Sequence, residues 1–234
     1  MSLVEIKKKL KKYSSSKRAK NLQRFFKTAP GEYGHGDIFI GLTVPQIRII
    51  AKEHKALKLN DTLRLLKSPI HEERLLSLVI LVSKFKEGSG ADKKQIYDSY
   101  LKNTKYINNW DLVDLTAHHI VGGFLKDSKR DKIYELVKSK DLWERRIAVL
   151  STFHFIKNNS FKDTLRIAKI LLNDKEDLIH KATGWMLREV AKRDKGLVEN
   201  FLAAHHRYMP RTMLRYAIER FPEKERVVYL KKVL

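Results

Sequence analysis

The chain has no cysteine in its 234 residues. That excludes disulfides, thiolate nucleophiles and cysteine-based zinc sites, and it fits a cytoplasmic chain. Proline and glycine are scarce, at five and ten residues. No apolar run approaches the roughly 18 residues that a membrane span needs. The opening MSLVEIKKKLKKY lacks the apolar core of a signal peptide. It reads instead as an amphipathic helix with Leu3, Ile6 and Leu10 on one face. Acids are also in short supply: 27 Asp and Glu stand against 49 Lys and Arg, a formal net charge of +22. A surplus that large points to a polyanionic partner, nucleic acid ahead of an acidic membrane surface.

What is present is helical periodicity. Pro45, Pro69, Pro210 and Pro222 sit where helices can begin. Thr43-Val44-Pro45 leads into IRIIAKEH, Asn60-Asp61 is placed to cap TLRLLK, and Ser68-Pro69 opens HEERLLSLVILVSKF. Residues 29–44 hold Gly31, Gly34, Gly36 and Gly41 and read as the longest loop, with Asp37-Ile38-Phe39-Ile40 as a short strand-like run.

A longer period underlies these elements. LLKS-PIHEERLLSLVIL, LVKS-KDLWERRIAVLSTF and LLND-KEDLIHKATGWML place turn markers at Ser68, Ser139 and Asp174. The last two markers are 35 residues apart and the first two 71 apart, two such periods. The intermediate member is LKNT-KYINNWDLVDLTAHH at Asn103-Thr104, and one further period lands on Met209-Pro210. The pattern predicts an all-α chain: one α-solenoid domain over residues 1–234, built of HEAT-like helical hairpins with a basic concave groove. Seven residues past each marker lie Leu75, Trp110 or Asp111, Arg146, Lys181 and Tyr216, expected to line one surface. A further helical step of four adds Asp114 to Trp110 and Trp185 to Lys181. The expectation is therefore that Trp110, Asp114, Arg146 and Trp185 share the groove.

Aromatic faces stack on bases and sugars, at about 1–3 kcal/mol per base, and attract cations. Trp143 reads as core packing. Asp114 reads either as an acid facing a cationic reaction centre or as a salt-bridge partner of Arg146. Asp111 reads as a complement to the helix dipole. Arg146, Arg145, Lys181, Arg188, Arg211 and Arg215 are the candidate phosphate contacts; any one of them alone reads first as solvated charge, and the set on one side of a solenoid is the more specific signal. His118-His119 and His205-His206 are adjacent pairs expected to face different sides of a helix. His71-Glu72-Glu73 lacks the second histidine of a zinc helix, and no glycine loop has phosphate-binding spacing. Neither a metal nor a cofactor is expected.

The segments INNWDLVDLTAHHIVGGFL, DLWERRIAVLSTFHFIK and IHKATGWMLREVAKRD resemble the signature segments of the bacterial DNA alkylation repair family of AlkD-like alkylpurine DNA glycosylases. The resemblance covers nearly the whole chain and is most specific from Lys105 to Arg193. It implies a HEAT-like solenoid acting as a monomer on duplex DNA. The reaction it implies is hydrolysis of the N-glycosidic bond of cationic alkylated purines, of the 3-methyladenine and 7-methylguanine type. It further implies that Asp114 is the catalytic carboxylate, that Trp110 and Trp185 wall the lesion's deoxyribose, and that Arg146 contacts the neighbouring phosphate. Two positions depart from the family pattern. Asn109 stands where a second Trp is common, and Phe25 or Phe26 of QRFFK stands where the N-terminal helix often carries a Tyr near the DNA. Two other readings share parts of the pattern: a non-catalytic protein recognising bent or branched DNA, and a protein-interaction scaffold, which leaves the charge unexplained.

Overall fold

The computed structural model describes residues 3–231 and is all-α, with fifteen α-helices among the described residues. Contacts divide the chain into two compact units, Met1–Thr116 and Ala117–Leu234. The first holds α1 (Leu3–Tyr13), α2 (Ser16–Phe25), α3 (Val44–Glu53), α4 (Leu59–Leu66), α5 (His71–Glu87), α6 (Gly90–Lys102) and α7 (Trp110–Asp114). The second holds α8 (Ala117–Phe124), α9 (Asp131–Leu136), α10 (Leu142–Lys157), α11 (Lys162–Ile170), α12 (Asp177–Ala191), α13 (Lys195–His205), α14 (Arg211–Ala217) and α15 (Glu223–Leu230).

Local chemistry sets most of these boundaries. Thr43 caps α3 in a reciprocal box with Gln46, with Pro45 in the first turn. Ser89 and Asp92 do the same for α6, and the Asp141 carboxylate caps α10 through the amides of Trp143 and Glu144. Pro210 and Pro222 occupy the cap positions of α14 and α15. Helix α4 differs from expectation: it starts at Leu59, its cap residue Lys58 makes no side-chain bond, and Asp61 lies inside the first turn. The strand-like run gives only one parallel bridge, between Ile38 and Ile70.

Turn bonds serve most of the loop between α2 and α3, and at its end a side chain takes the backbone amides. The Glu72 carboxylate accepts the amides of Ile40 (3.1 Å), Gly41 (2.7 Å) and Leu42 (3.2 Å). Gly41 takes φ 87° with its Cα hydrogen against the Ser15 carbonyl, a conformation and a closeness that a side chain would forbid.

The 35-residue period appears as helical hairpins: α4 with α5 in the first unit, and α9 with α10 and α11 with α12 in the second. In the second unit α10 packs on α8, α12 on α10 and α14 on α12, so these four helices stack in succession. Gly122 and Gly184 permit close approaches between these helices. A Cβ at Gly122 would run into the Ser151 carbonyl, and one at Gly184 into the Met213 carbonyl.

The register also shows where one repeat is unusual. Leu75, Arg146 and Lys181 are each the fifth residue of α5, α10 and α12, whereas Trp110 is the first residue of α7. Thr104–Tyr106 winds as a 3-10 turn, and Asn109 caps a fresh helix after it. That helix lasts five residues. The Thr116 hydroxyl bonds back to the Leu112 carbonyl at 2.5 Å, which is how a threonine bends or ends a helix.

Candidate active site

The segment WDLVD is thus a single turn with Trp110 at one end and Asp114 at the other. Asn109, fully buried, holds its start: its Oδ1 accepts the Trp110 amide at 2.8 Å and its Nδ2 donates to Asp37 Oδ2 at 3.1 Å. A bulky indole at position 109 could not make both bonds, so this departure from the family pattern has a local reason. Asp111 does more than complement the dipole. Its Oδ1 accepts the Leu112 amide at 2.9 Å, while its Oδ2 lies 2.8 Å from His71 Nε2. Asp114 is half-buried, close enough to Tyr100 for their charges to interact. Burial pushes the Tyr100 phenol well above its ordinary pKa; the Thr116 hydroxyl, 2.9 Å away, works against this, and the Asp114 charge adds to the rise.

An aromatic stack backs Trp110. Phe26 lies between Phe39 (centroids 4.9 Å apart, planes at 20°) and Trp110 (5.0 Å, 15°). Phe25 meets Trp110 edge-on at 5.8 Å and is 64% exposed. Both phenylalanines of QRFFK therefore reach the tryptophan, one as a buried support and one facing solvent. The phenol that this helix lacks comes from the loop: Trp110 Nε1 donates to the Tyr33 hydroxyl at 3.3 Å. No local sequence pattern marks Tyr33.

Beneath the stack lies a charge network that the sequence also did not disclose. His71, Glu72, Glu73 and Arg74, four consecutive polar residues opening α5, are all buried. Glu72 holds the loop, and Glu73 pairs with Lys7 at 3.0 Å. His71 Nδ1 lies 3.1 Å from Asp37 Oδ2, and Arg74 Nη2 donates to Asp37 Oδ1 at 2.6 Å. Burial alone would lower the His71 pKa. The Asp111 charge and hydrogen bond, with the Asp37 bond, outweigh it and the opposing Arg74, raising the pKa to about 9. Burial likewise works to raise Asp37, but His71, Arg74 and Asn109 together hold it below its ordinary value. His71, protonated at neutral pH, and Arg74 offset the charges of Asp37 and Asp111.

In the second unit Trp143 is buried, as its pattern indicated. Trp185 is half-buried and 6.0 Å from the Phe153 ring, and its Nε1 donates to Glu189 Oε1 at 3.2 Å. Trp185 and Glu189 repeat the four-residue spacing of Trp110 and Asp114, a signal present in the sequence. Arg146 is buried, and its guanidinium donates to the Leu178 carbonyl at the start of α12. Arg145 clamps the turn between repeats, with Nε 2.7 Å from Asp174 Oδ2 and Nη1 3.0 Å from the carbonyls of Ser139 and Lys140. Arg188 pairs with Glu219, and Lys181 with Asp177 at 2.8 Å. Arg211 is exposed and donates to the Leu230 carbonyl, and Arg215 is exposed. The adjacent rings of His118 and His119 do not splay apart as expected, since their centroids lie 3.9 Å from each other.

The class defined by these elements is a helical-repeat protein of stacked hairpins. The profile of the family described as DNA alkylation repair enzyme matches residues 6–221, and the chain belongs to that family. Solved structures share the fold. A predicted DNA alkylation repair enzyme from Enterococcus faecalis is 14% identical, covering 90% of this chain and 97% of its own, with a TM-score of 0.69. AlkD2 from Streptococcus mutans is 17% identical over 92% of this chain and 99% of its own, with a TM-score of 0.57. The smu.31 protein of Streptococcus mutans UA159 is 18% identical over 92% and 100%, with a TM-score of 0.55. Compared with curated protein sequences, the chain has no match.

Proposed function

We propose that the protein is a DNA glycosylase that releases cationic alkylated purines, of the 3-methyladenine and 7-methylguanine type, from duplex DNA. The observation that carries this reading is the Trp110–Asp114 turn, held from below by buried charges, in a strongly basic member of the DNA alkylation repair family. Alkylation at N3 or N7 already places a positive charge on the purine, so no acid is needed to protonate the leaving group. The C1′–N bond breaks with both electrons going to the base, which leaves neutral. The sugar becomes oxocarbenium-like, and a water adds at C1′ and gives up a proton toward the Asp114 carboxylate. A carboxylate about 4 Å from that developing charge stabilises it by roughly 4 kcal/mol at an effective dielectric near 20, about a thousandfold in rate. The Trp110 face attracts the same cation.

Within the second unit we assign Trp185 an aromatic contact to the DNA. Lys181, Arg211 and Arg215, the more exposed of the candidate cations, are assigned phosphate contacts, and Phe25 faces the duplex from the first unit. Arg146 is kept as a phosphate contact on the family resemblance alone, since its buried bond to Leu178 also gives it a structural share. Arg145 and Arg188 are engaged in ion pairs with Asp174 and Glu219, and they contribute mainly through the field.

The test is base release from methylated duplex DNA, with undamaged duplex beside it. Free 3-methyladenine or 7-methylguanine from the first and no purine from the second is the expected result. Tight binding with no base release supports the alternative, a non-catalytic protein that recognises bent or branched DNA.

A further inference from the structure

We propose that His71 is a positioning residue for the reaction: bridged between Asp37 and Asp111, it fixes the one-turn helix that carries Trp110 and Asp114. The inference rests on the glycosylase reading above. Helix α7 is too short to hold its own geometry, because a single turn forms one or two internal bonds against the entropy of ordering its backbone. Its orientation must come from anchors. Three are in place: Asn109 on Asp37, Asp111 on His71, and Phe26 flat against Trp110. His71 joins all three. It bonds the two carboxylates from opposite ring nitrogens, and its ring stacks on Phe39 (4.4 Å, 23°) and tilts against Phe26 (5.2 Å, 39°).

The bridge works only when both ring nitrogens carry a proton. A neutral imidazole has one N–H, so one lone pair would face a carboxylate oxygen at 2.8 or 3.1 Å in a buried site. The charged groups facing the ring are Asp37 from the loop, Arg74 from α5 and Asp111 from α7, and Glu72 beside it is committed to the loop amides. Deprotonation therefore leaves two buried carboxylates and one guanidinium. Whichever contact is lost, the bridge between Asp37 and Asp111 opens, and Asp111 lies three residues from Asp114. A displacement on the order of 1 Å at a reacting group costs about a hundredfold in rate.

The experiment measures single-turnover base release and DNA affinity across pH for the wild type, His71→Gln, Asp111→Asn and the double variant. The release rate of the wild type, corrected for uncatalysed loss, should fall as pH rises through about 9. His71→Gln should lose about tenfold or more in rate with affinity changed by less than about twofold, and the fall near 9 should vanish. The double variant, a neutral amide pair, should recover part of the lost rate. A His71→Gln enzyme with wild-type rate and pH profile overturns the proposal, as does a folded variant whose loss lies entirely in affinity.

A second readout is independent of catalysis. In a background with Trp143→Phe and Trp185→Phe, the emission of Trp110 should change through the same pH range and stay flat when His71→Gln is added. If neither the wild type nor any variant releases base, the glycosylase reading fails while this titration still decides the role of His71. A flat titration in the His71-containing background overturns it.

Discussion

Phe26 lies flat against Trp110, with ring planes 15° apart and centroids 5.0 Å apart. The contact makes the two phenylalanines of QRFFK a support and a rim. Phe26 is 6% exposed and holds the indole face, whereas Phe25 is 64% exposed beside it. Phe26→Ala removes a buried ring and should cost about 3–5 kcal/mol of stability. Phe25→Ala should cost less than about 1 kcal/mol and weaken DNA binding instead. Denaturant melts of the two variants, paired with DNA titrations, separate the roles.

His71 makes stability depend on pH in a definite direction. Its folded pKa of about 9 lies above the ordinary 6.5, so its contribution is complete below about 6.5 and is lost as pH rises through about 9. The gap corresponds to something on the order of 3 kcal/mol. The stability difference between the wild type and His71→Gln should shrink by about that amount on going from about pH 6 to about pH 10. Asp37 has the opposite sign. Its lowered pKa gives stability that is present above 3.8 and lost as pH falls through its folded value.

Gly184 marks where α12 and α14 come closest, and an added Cβ would meet the Met213 carbonyl and the Tyr216 Cβ. Backbone cannot step aside as a flexible side-chain tip can. Despite the higher helix propensity of alanine, Gly184→Ala should destabilise the protein by about 1–3 kcal/mol, read as a lower melting temperature. Gly90 has open space at the same position, and Gly90→Ala should be neutral or stabilising.

The cations should sort by how exposed they are. Lys181→Ala, Arg211→Ala and Arg215→Ala should weaken DNA binding evenly across sequences and reduce the slope of log affinity against log salt by about 1 each. Arg145→Ala should act on stability. It strips Asp174, whose side chain is 6% exposed, of its partner, at about 2–3 kcal/mol. Binding isotherms at several salt concentrations and melts of the same variants check both halves.

The helices, their proline-marked starts and the 35-residue period were legible because periodicity and capping are local. That Trp110 and Asp114 share one helical turn was legible from the four-residue step. What supports them was not. Asp37, His71 and Asn109 come from three places in the chain, and no local pattern joins them. HEER, opening an amphipathic run, gives no sign that it is buried, because its burial depends on carboxylate and amide partners supplied by the loop. The split that gives α7 its single turn is also hidden, since it follows from a 3-10 turn and a back-bonded Thr116. Residues such as Arg145 looked solvent-facing because sequence shows charge and spacing but not partners.

The most direct measurement is the single-turnover release of 7-methylguanine by Asp114→Asn against the wild type, with DNA affinity measured on the same samples. Asp114→Asn should lose about a thousandfold in rate with affinity changed little, because the carboxylate acts on charge that develops only in the transition state. Release by Asp114→Asn at the wild-type rate would contradict it.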